Sequence, residues 1–307
     1  MTAGADRLRP EWPSLPAGLR AQVEAQLGGD RTSDSPAQGG FSAGYAGVVR
    51  SAERAVFVKA IAAEGHTDSR TFLRREIRML RAAPSGVTPR LLSVIDDADG
   101  TALILEIVPG IHPGTPWTDG QLHAVAAEIA RLAAATAAAP IPAARESMLP
   151  SYARWGRIAE DHALAAALPL RLQDRMPQLL QLEASLPDAL TGTALAHGDL
   201  RADNILIHGE RARFIDWPHA RRGVPWLDGP LLVPSIEASG GPTCAESWRA
   251  LREHGAPDAA RLLPVIAGFA SFLWWNQAQP EIAELPGLRA FQRAQADPIL
   301  RWLGELL

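Results

Sequence analysis

Cysteine and lysine are the two residue types that this chain almost lacks. Its 307 residues include one cysteine, Cys244, so no disulfide can form within the chain. Since proteins without disulfides are typical of reducing compartments, we expect a cytoplasmic location. Thirty residues are Lys or Arg, yet Lys59 is the only lysine among them. The position of that single lysine therefore needs an explanation.

Long apolar segments and an excess of positive charge are also absent. The longest apolar stretch, Val265 to Trp275, is too short to span a bilayer. Met1 to Pro16 carries charges and prolines rather than the apolar core of a signal peptide. The formal net charge is −4, and a nucleic-acid-binding protein usually has a concentrated basic surface. We therefore expect a globular protein with neither a membrane nor a nucleic acid as its partner.

The pattern of apolar residues predicts a first third that is rich in strands. A four-residue apolar repeat ending at Gly28-Gly29 predicts a helix over Leu15–Leu27, and residues 30–40 are polar and predict a loop. Apolar runs predict strands, and a longer amphipathic repeat predicts a second helix. The strands are expected at Tyr45–Arg50, Ala55–Ile61, Pro89–Asp96 and Thr101–Val108, and the helix at Asp68–Ala83.

The rest of the chain predicts mostly helices. They are expected at Thr118–Ala138, Pro150–Ala167, Leu170–Ser185 and from Asp228 onward. Two short strands interrupt them, at Ile205–His208 and Ala212–Ile215. We therefore predict an α+β fold with a strand-rich unit at 1–108, a connection at 109–116 and a helical unit at 117–307.

Two acidic side chains and one amide side chain that are candidates for one site lie within 18 residues, at Asp199, Asn204 and Asp216. Residues 197–204 read H-G-D-L-R-A-D-N and lead into an apolar strand, and Asp216 closes the next strand. Each of Asp199, Asn204 and Asp216 alone is typical of a turn, but a hairpin would bring the three together. Phosphoryl transfer needs one group that orients the attacking hydroxyl and two that hold magnesium. We predict that Asp199 accepts the hydroxyl proton and that Asn204 and Asp216 bind Mg²⁺.

Lys59 is expected to pair with Glu76. Lys59 lies in the apolar run 56–61, so its ammonium should lie in or beside a closed site. On the predicted helix Glu76 falls on the apolar side, and a carboxylate that faces a core needs a partner. That side also carries Phe72, Leu73, Ile77, Met79 and Leu80. The alternative is that Glu76 pairs with a neighbouring arginine at the helix surface.

Two further segments are candidates for nucleotide binding. Residues 39–44 read G-G-F-S-A-G, and Ser42 and Gly44 belong to a loop that can cover phosphates with backbone N–H groups. The same letters contain G-x-S-x-G, the nucleophile elbow of serine hydrolases, which requires a strand before Ser42 and a helix after it. Glu106 and Val108 end an apolar strand and could offer backbone groups to a purine, or simply end the strand.

His197 is expected to hold its loop by hydrogen bonds, and Asp228 to be a cap or structural anion.

These motifs resemble those of the aminoglycoside phosphotransferase family, in the protein-kinase-like superfamily that includes choline kinases. The resemblance covers residues 38–235, and its most specific parts are H-G-D-L-x-x-x-N-I-L at 197–206 and I-D-W at 215–217. It implies a two-lobe fold, with a small antiparallel-sheet N-lobe and a mainly helical C-lobe. It also implies Mg²⁺-dependent transfer of the γ-phosphate of ATP or GTP to a hydroxyl of a small molecule, with aminoglycosides and other antibiotics among the candidates.

The resemblance also implies a role for each site residue. Asp199 would be the catalytic base, Asn204 and Asp216 the magnesium ligands, Lys59 the contact to the α- and β-phosphates, and Glu76 its partner. Residues 105–108 match the hinge that holds the purine.

Departures from the family pattern bear on which class of acceptor the protein uses. Arg201 stands where many aminoglycoside kinases have histidine, and its charge could help to neutralise the moving phosphoryl group. Trp217-Pro218 replaces the Phe-Gly of protein kinases and no A-P-E segment follows, so a protein substrate is disfavoured. Acidic residues of the helical unit could bind a cationic antibiotic or form a solvated surface: Glu237, Glu246 and Glu253. The second hypothesis for the whole chain is a nucleotide-binding regulator without turnover.

Overall fold

The N-terminal part of the molecule is built on one antiparallel sheet. A computed structural model describes residues 10–37, 44–64, 67–137, 140–252, 257, 259–283 and 285–307. Within these residues five strands form the sheet, in the order β1-β2-β3-β5-β4. The strands are β1 (Ser33–Pro36), β2 (Tyr45–Arg50), β3 (Ala55–Ala62), β4 (Leu91–Asp96) and β5 (Gly100–Leu105).

The loop expected at residues 30–40 is wrong in part, because β1 lies inside it. Ser33 pairs with Arg50 and Pro36 with Gly47, at the edge of the sheet. An edge strand needs no apolar face and tolerates proline at its end, so its sequence S-D-S-P carries no strand pattern.

Two helices cover opposite faces of the sheet. Helix α1 (Ala17–Gln26) packs with Trp12 against one face, where Val56, Val58 and Ala60 of β3 are buried. Helix α2 (Thr67–Ala82) covers the other face. Because side chains alternate along a strand, Lys59 points to the α2 side.

One expectation for α2 is wrong. Phe72 was placed on its apolar side, yet 47% of the residue is exposed. Its ring instead contacts the His219 ring, with the two centroids 5.6 Å apart.

The C-terminal part is mainly helical. Its helices are α3 (Asp119–Ala133), α4 (Ala144–Tyr152), α5 (Trp155–Glu160), α6 (His162–Ala166), α7 (Leu170–Gln173), α8 (Met176–Ala189), α9 (Asp228–Ala238), α10 (Cys244–Leu251), α11 (Ala259–Gln277) and α12 (Leu288–Leu306). Its strands form two small antiparallel pairs, β6 (Ala194–Ala196) with β9 (Arg221–Gly223) and β7 (Ile205–His208) with β8 (Arg211–Phe214).

Two helices that the sequence predicts as continuous are divided. The segment expected at Pro150–Ala167 breaks where the Asp161 side chain accepts from the Leu164 N–H and caps a new helix. The segment expected at Leu170–Ser185 breaks after α7, and Pro177 lies in the first turn of the helix that follows.

Helix α11 lies in the centre of the helical part. It packs against α8 and α12, and its Trp274 is buried with the indole N–H donating to the Leu164 carbonyl at 3.2 Å. Trp274 is thus part of the core of the helical part. No helix among the described residues has both the length and the apolar composition needed to cross a membrane.

The segment after β5 runs along the β7–β8 hairpin. Backbone hydrogen bonds of 3.0 and 2.8 Å join Ile111 to Ile207, and the His112 ring contacts the Ile205 carbonyl at 2.9 Å. This contact holds the end of the N-terminal sheet beside the loops that flank β7 and β8, where the predicted site residues lie.

Candidate active site

The loop that carries Asp199 is held by a buried carboxylate. Asp228, at the start of α9, accepts the His197 N–H at 2.7 Å and the Gly198 N–H at 2.8 Å. Burial raises the pKa of Asp228, whereas the nearby His197 and the two amides favour the ionised form. Asp228 is thus a structural anion of the loop, as the sequence predicts.

Gly198 is required at the turn before Asp199. Its φ is +77°, and a β-carbon there would lie 2.2 Å from the His219 carbonyl oxygen. Only glycine fits such a close approach of two backbone segments at a positive φ.

His197 links this loop to the strand that ends at the second acidic residue. Its Nε2 contacts the Ile215 carbonyl at 2.9 Å, and its ring packs edge-on against Trp217 with centroids 4.7 Å apart. The Ile215 N–H in turn donates to the Asn204 carbonyl at 2.9 Å. These bonds fix the loops that carry Asn204 and Asp216 relative to each other.

Asn204 and Arg201 stabilise the surroundings of Asp199. The Asn204 amide donates to the Asp199 backbone carbonyl at 2.9 Å, which leaves the amide oxygen of Asn204 as an acceptor. Arg201 lies 3.6 Å from Asp199 Oδ2 and makes two bonds to Asp203, at 3.0 and 3.1 Å. Burial alone would lower the pKa of Arg201, but the carboxylates of Asp199 and Asp203 raise it, so the guanidinium stays charged.

Lys59 lies between two carboxylates from different parts of the chain. Its Nζ is 2.8 Å from both oxygens of Glu76 and 2.6 Å from Asp216 Oδ1. The predicted contact between Lys59 and Glu76 is present, and the alternative pairing of Glu76 with a surface arginine is wrong. Glu76 also accepts the Trp217 N–H at 3.2 Å, so helix α2 is tied to the residue after Asp216.

Burial and charge act against each other in this group. Burial would lower the pKa of Lys59, but Asp216 and Glu76 together outweigh it and hold the pKa above its ordinary value. Burial would raise the pKa of Asp216, but the Lys59 ammonium and Arg201 hold it well below its ordinary value. Both groups are therefore charged at neutral pH.

Asn204 and Asp216 fit a magnesium ion. Amide and carboxylate oxygens are hard ligands, and Mg²⁺ is usually bound by one or two carboxylates together with substrate phosphates. Asp216 has φ +68°, a left-handed conformation that turns it out of the line of β8. The described residues contain no cluster of three or more His, Cys, Asp or Glu side chains that could hold a metal without phosphates. The two residues would supply one amide oxygen and one carboxylate to such an ion.

Comparison with known proteins identifies the family. A model of the phosphotransferase enzyme family matches residues 39–264. The chain belongs to this family. Among curated proteins, none matches this sequence.

Solved structures share the fold of this phosphotransferase at low sequence identity. A spectinomycin phosphotransferase, solved with ADP and spectinomycin, is 14% identical, with a TM-score of 0.60 over 94% of this chain and 98% of that chain. A choline/ethanolamine kinase family protein from Mesorhizobium loti is 18% identical, with a TM-score of 0.59 over 93% and 94%. An aminoglycoside phosphotransferase from Streptomyces rimosus ATCC10970, solved with ADP and streptomycin, is 19% identical, with a TM-score of 0.54 over 84% and 99%. The predicted two-lobe, protein-kinase-like α+β fold is confirmed, with the β1–β5 sheet in the N-lobe and the helical part as the C-lobe.

The candidate purine-binding edge of this phosphotransferase keeps backbone groups available. The Glu106 N–H donates to the Arg90 carbonyl at 3.0 Å, and the Glu106 carboxylate accepts the Arg90 N–H at 3.0 Å. Among the described residues, nothing bonds to the Glu106 carbonyl or to the Val108 N–H. Both groups therefore remain candidates for a purine.

The glycine-rich loop is described only at its end. Ser42 lies outside the described residues, so its predicted role stays a prediction. Gly44 packs tightly on β3, since a β-carbon there would lie 2.6 Å from the Ala60 carbonyl oxygen. Strand β2 begins at Tyr45, whereas a nucleophile elbow requires a helix after its serine. The hydrolase interpretation therefore lacks its structural context.

The acidic residues considered for a cationic substrate have other partners. Glu237 accepts the Cys244 N–H at 2.7 Å and pairs with Arg301 at 2.7 Å. Glu246 caps helix α10 through Thr243, and Glu253 lies outside the described residues. The two described residues serve the packing and capping of helices.

Arg221 is the residue near Asp199 that the sequence interpretation missed. It is 5% exposed, and its side chain packs against Gly198, the neighbour of Asp199. The sequence around it, I-D-W-P-H-A-R-R-G-V at 215–224, mixes apolar, acidic and basic residues and gives no sign that Arg221 is buried. Arg221 is buried by the pairing of β6 with β9. This pairing is only three residues long, so it leaves no periodic pattern in the sequence.

Proposed function

We propose that this protein is a Mg²⁺-dependent kinase that transfers the γ-phosphate of ATP or GTP to a hydroxyl of a small molecule. The contact between Lys59 and Asp216, 2.6 Å between Nζ and Oδ1, carries the proposal. It joins the only lysine of the chain to the residue that follows strand β8, beside the loop of Asp199 and Asn204, so that groups suited to nucleotide, metal and acceptor lie on neighbouring loops. We further propose that 1–108 is the N-lobe, 109–116 the hinge and 117–307 the C-lobe.

Each site residue has a role in this proposal. Lys59 holds the α- and β-phosphates, positioned by Glu76, and the loop with Ser42 and Gly44 covers them. The Glu106 carbonyl and the Val108 N–H bind the purine edge.

The magnesium ligands act on the charge of the phosphates. Asn204 and Asp216 would hold Mg²⁺, which neutralises phosphate charge when it is bound. Arg201 adds a fixed positive charge beside Asp199, where the phosphoryl group passes.

The transfer itself is a single displacement. The acceptor hydroxyl gives its proton to Asp199, and its oxygen forms a bond to the γ-phosphorus. The bond between that phosphorus and the β–γ bridging oxygen breaks, and the nucleoside diphosphate leaves. Because Asp199 is a third exposed in its side chain, an acceptor can reach it. Catalysis then depends on positioning and charge neutralisation, with no covalent enzyme intermediate.

Several acceptor classes should be tested first. The names of the similar structures give spectinomycin and streptomycin for those proteins, so hydroxylated antibiotics belong in the first panel. Sugars and amino alcohols complete it. The single buried cysteine supports a cytoplasmic location in this proposal. A regulator without turnover is the weaker alternative, since the charged groups that transfer needs are all present.

The experiment compares Asp199→Asn with a matched control. Asp188→Asn changes an aspartate whose side chain is 92% exposed and lies on the end of α8. Mg-ATP and Mg-GTP should raise the melting temperature of the wild type and of both variants. Nucleoside diphosphate release with an active acceptor should fall roughly 1,000-fold or more in Asp199→Asn alone. Normal turnover by Asp199→Asn, or no stabilisation of the wild type by either nucleotide, would contradict the proposal.

A further inference from the structure

We propose that the acceptor of this phosphotransferase carries an anionic group, such as a carboxylate, which Arg75 and Arg221 bind beside Asp199. The inference rests on the proposed function and assigns the acceptor a charge opposite to that of a polyamine antibiotic. It depends on the contacts and burial of three residues, Arg75, His219 and Arg221, which we call the cationic cluster.

Arg221 is a buried cation without an anionic partner. Its Nη1 donates to the Ala220 carbonyl at 3.0 Å, and its Nη2 lies 3.4 Å from His219 Nδ1. Its Nε is buried and has no hydrogen-bond partner among the described residues. No carboxylate of the described residues lies within ion-pair distance of the guanidinium. The charge is thus held by one carbonyl and one imidazole, neither of which can neutralise it.

An unpaired guanidinium in a buried position is energetically unfavourable for the protein without a ligand. Burial, together with the nearby charge of Arg75, lowers the pKa of Arg221 to about 10 although the Asp199 charge acts the other way, so Arg221 is still charged at neutral pH. A buried charge is normally paired, because the loss of hydration is not otherwise recovered. An anionic ligand would supply the missing counter-charge.

A second guanidinium approaches from the other lobe. Arg75 lies on α2 one turn after Phe72, whose ring contacts the His219 ring. Arg75 is half-buried and makes no hydrogen bond or ion pair with another described residue. Burial lowers the pKa of His219, so its ring is neutral and can accept from Arg221. The charge of Arg75 on α2 acts on both His219 and Arg221, so two positive charges lie near the His219 ring.

The cluster lies on the acceptor side of Asp199. A β-carbon on Gly198 would lie 2.9 Å from Arg221 Cγ, so the arginine side chain passes directly over the residue before Asp199. The nucleotide side, by contrast, is occupied by Lys59, Glu76 and Asp216. An acceptor whose hydroxyl reaches Asp199 would bring its other groups to the cluster.

Few unpaired carboxylates lie near the cationic cluster to bind an ammonium group. Asp203 is engaged by Arg201, and Glu237 by Arg301. Asp199 itself lies 3.6 Å from Arg201, whereas neither Arg75 nor Arg221 has a carboxylate within ion-pair distance among the described residues. The sign of the local charge thus favours a hydroxylated anion and opposes a cation.

The test uses acceptors that share one carbon skeleton and differ in charge. Gluconate, glucitol and glucamine are the anionic, neutral and cationic members, and glucuronate, glucose and glucosamine form a second set. Nucleoside diphosphate release, product mass and the shift in melting temperature with Mg-ADP are measured at constant ionic strength. We expect the carboxylate of each set to bind best and to have the highest kcat/KM.

Variants assign the effect to the cluster. Arg75→Gln should raise the half-saturating concentration of the carboxylates roughly 10- to 100-fold, with a much smaller effect on the neutral members. Arg221→Gln should act likewise, and stabilisation by Mg-ADP shows whether that variant is folded. Arg78→Gln, an exposed arginine of the same helix, is the matched control and should behave as the wild type.

Several outcomes would overturn the inference. One is that glucamine or glucosamine binds as well as, or better than, the carboxylate of its set. Another is that the wild type binds Mg-ADP but neither binds nor uses any of the carboxylates. A third is an Arg75→Gln variant whose loss lies in nucleotide affinity and not in acceptor KM, since the cluster would then belong to the phosphates. A wild type that binds no nucleotide at all would instead contradict the proposed function.

Discussion

Lys59 and Asp216 stand 157 positions apart in the sequence, and their side chains meet at 2.6 Å. One belongs to the central strand β3 of the N-lobe and the other to the loop after β8 of the C-lobe. With Glu76 they form a group of two carboxylates and one ammonium. The contact joins the N-lobe and the C-lobe through Asp216, the residue that we propose as a magnesium ligand.

Removal of the ammonium should destabilise the fold. Lys59→Met leaves Glu76 buried without its counter-charge, and the free energy of unfolding should fall by about 3 kcal/mol. Urea denaturation of the purified protein measures the change. Arg145→Met is a matched control, because its pair with Asp188 is exposed and should contribute less than about 1 kcal/mol.

The cause of that loss can be isolated with a double variant. In Lys59→Met/Glu76→Met both partners are apolar, so the penalty of an unpaired buried carboxylate is smaller. The double variant should therefore be more stable than the sum of the two single changes predicts, by about 1–3 kcal/mol. Strict additivity would mean that Lys59 and Glu76 are not coupled and that their contact contributes nothing.

Asp216 should set the magnesium requirement of the enzyme. Asparagine tolerates the φ of +68° at this position, so Asp216→Asn removes charge with little backbone strain. The magnesium concentration for half-maximal nucleoside diphosphate release should rise about tenfold or more, because a carboxylate ligand becomes a neutral one. A magnesium titration at fixed ATP gives the value. If the titration curve were that of the wild type, Asp216 would not be a metal ligand.

The site residues that could be predicted from the sequence are those whose positions follow from local periodicity or from close spacing within one loop. The alternation in β3 and the helical repeat in α2 are enough to face Lys59 and Glu76 towards each other, and the spacing of Asp199 and Asn204 lies within one loop. Arg221 could not be predicted in this way. It is buried because Ala196 pairs with Arg221 in a three-residue ladder, and so short a ladder leaves no pattern in the sequence. Strand β1 was missed for a similar reason, since its polar residues lie at a sheet edge.

The turn before Asp199 should be intolerant of any side chain. Gly198→Ala would place a β-carbon 2.2 Å from the His219 carbonyl oxygen at a positive φ. We expect a loss of several kcal/mol in unfolding free energy, at least about 3, or a displaced loop with little activity. Gly209→Ala is the matched control, because Gly209 also has a positive φ but no atom within 4 Å of the added carbon. Its cost should be about 1 kcal/mol. Equal costs at the two glycines would show that the close approach to His219 is unimportant.

The contact between α2 and the β4–β5 turn should make stability depend on acidity. Hydrogen bonds from Arg74, Thr101 and Arg70 lower the pKa of Asp96 from 3.8 to about 2, that of Arg74 being the largest cause. Because the folded pKa lies below the unfolded one, this stabilisation is complete above about pH 5 and is lost as the pH falls through 4 towards 2. Urea denaturation between pH 2 and 6 should therefore show the wild type and Asp96→Asn converging in stability as the pH falls. The side chain is about a third exposed, so the difference should be modest and should shrink in 0.5 M salt. A difference that stayed constant across this pH range would mean that Asp96 supports the turn through its shape and not through its charge.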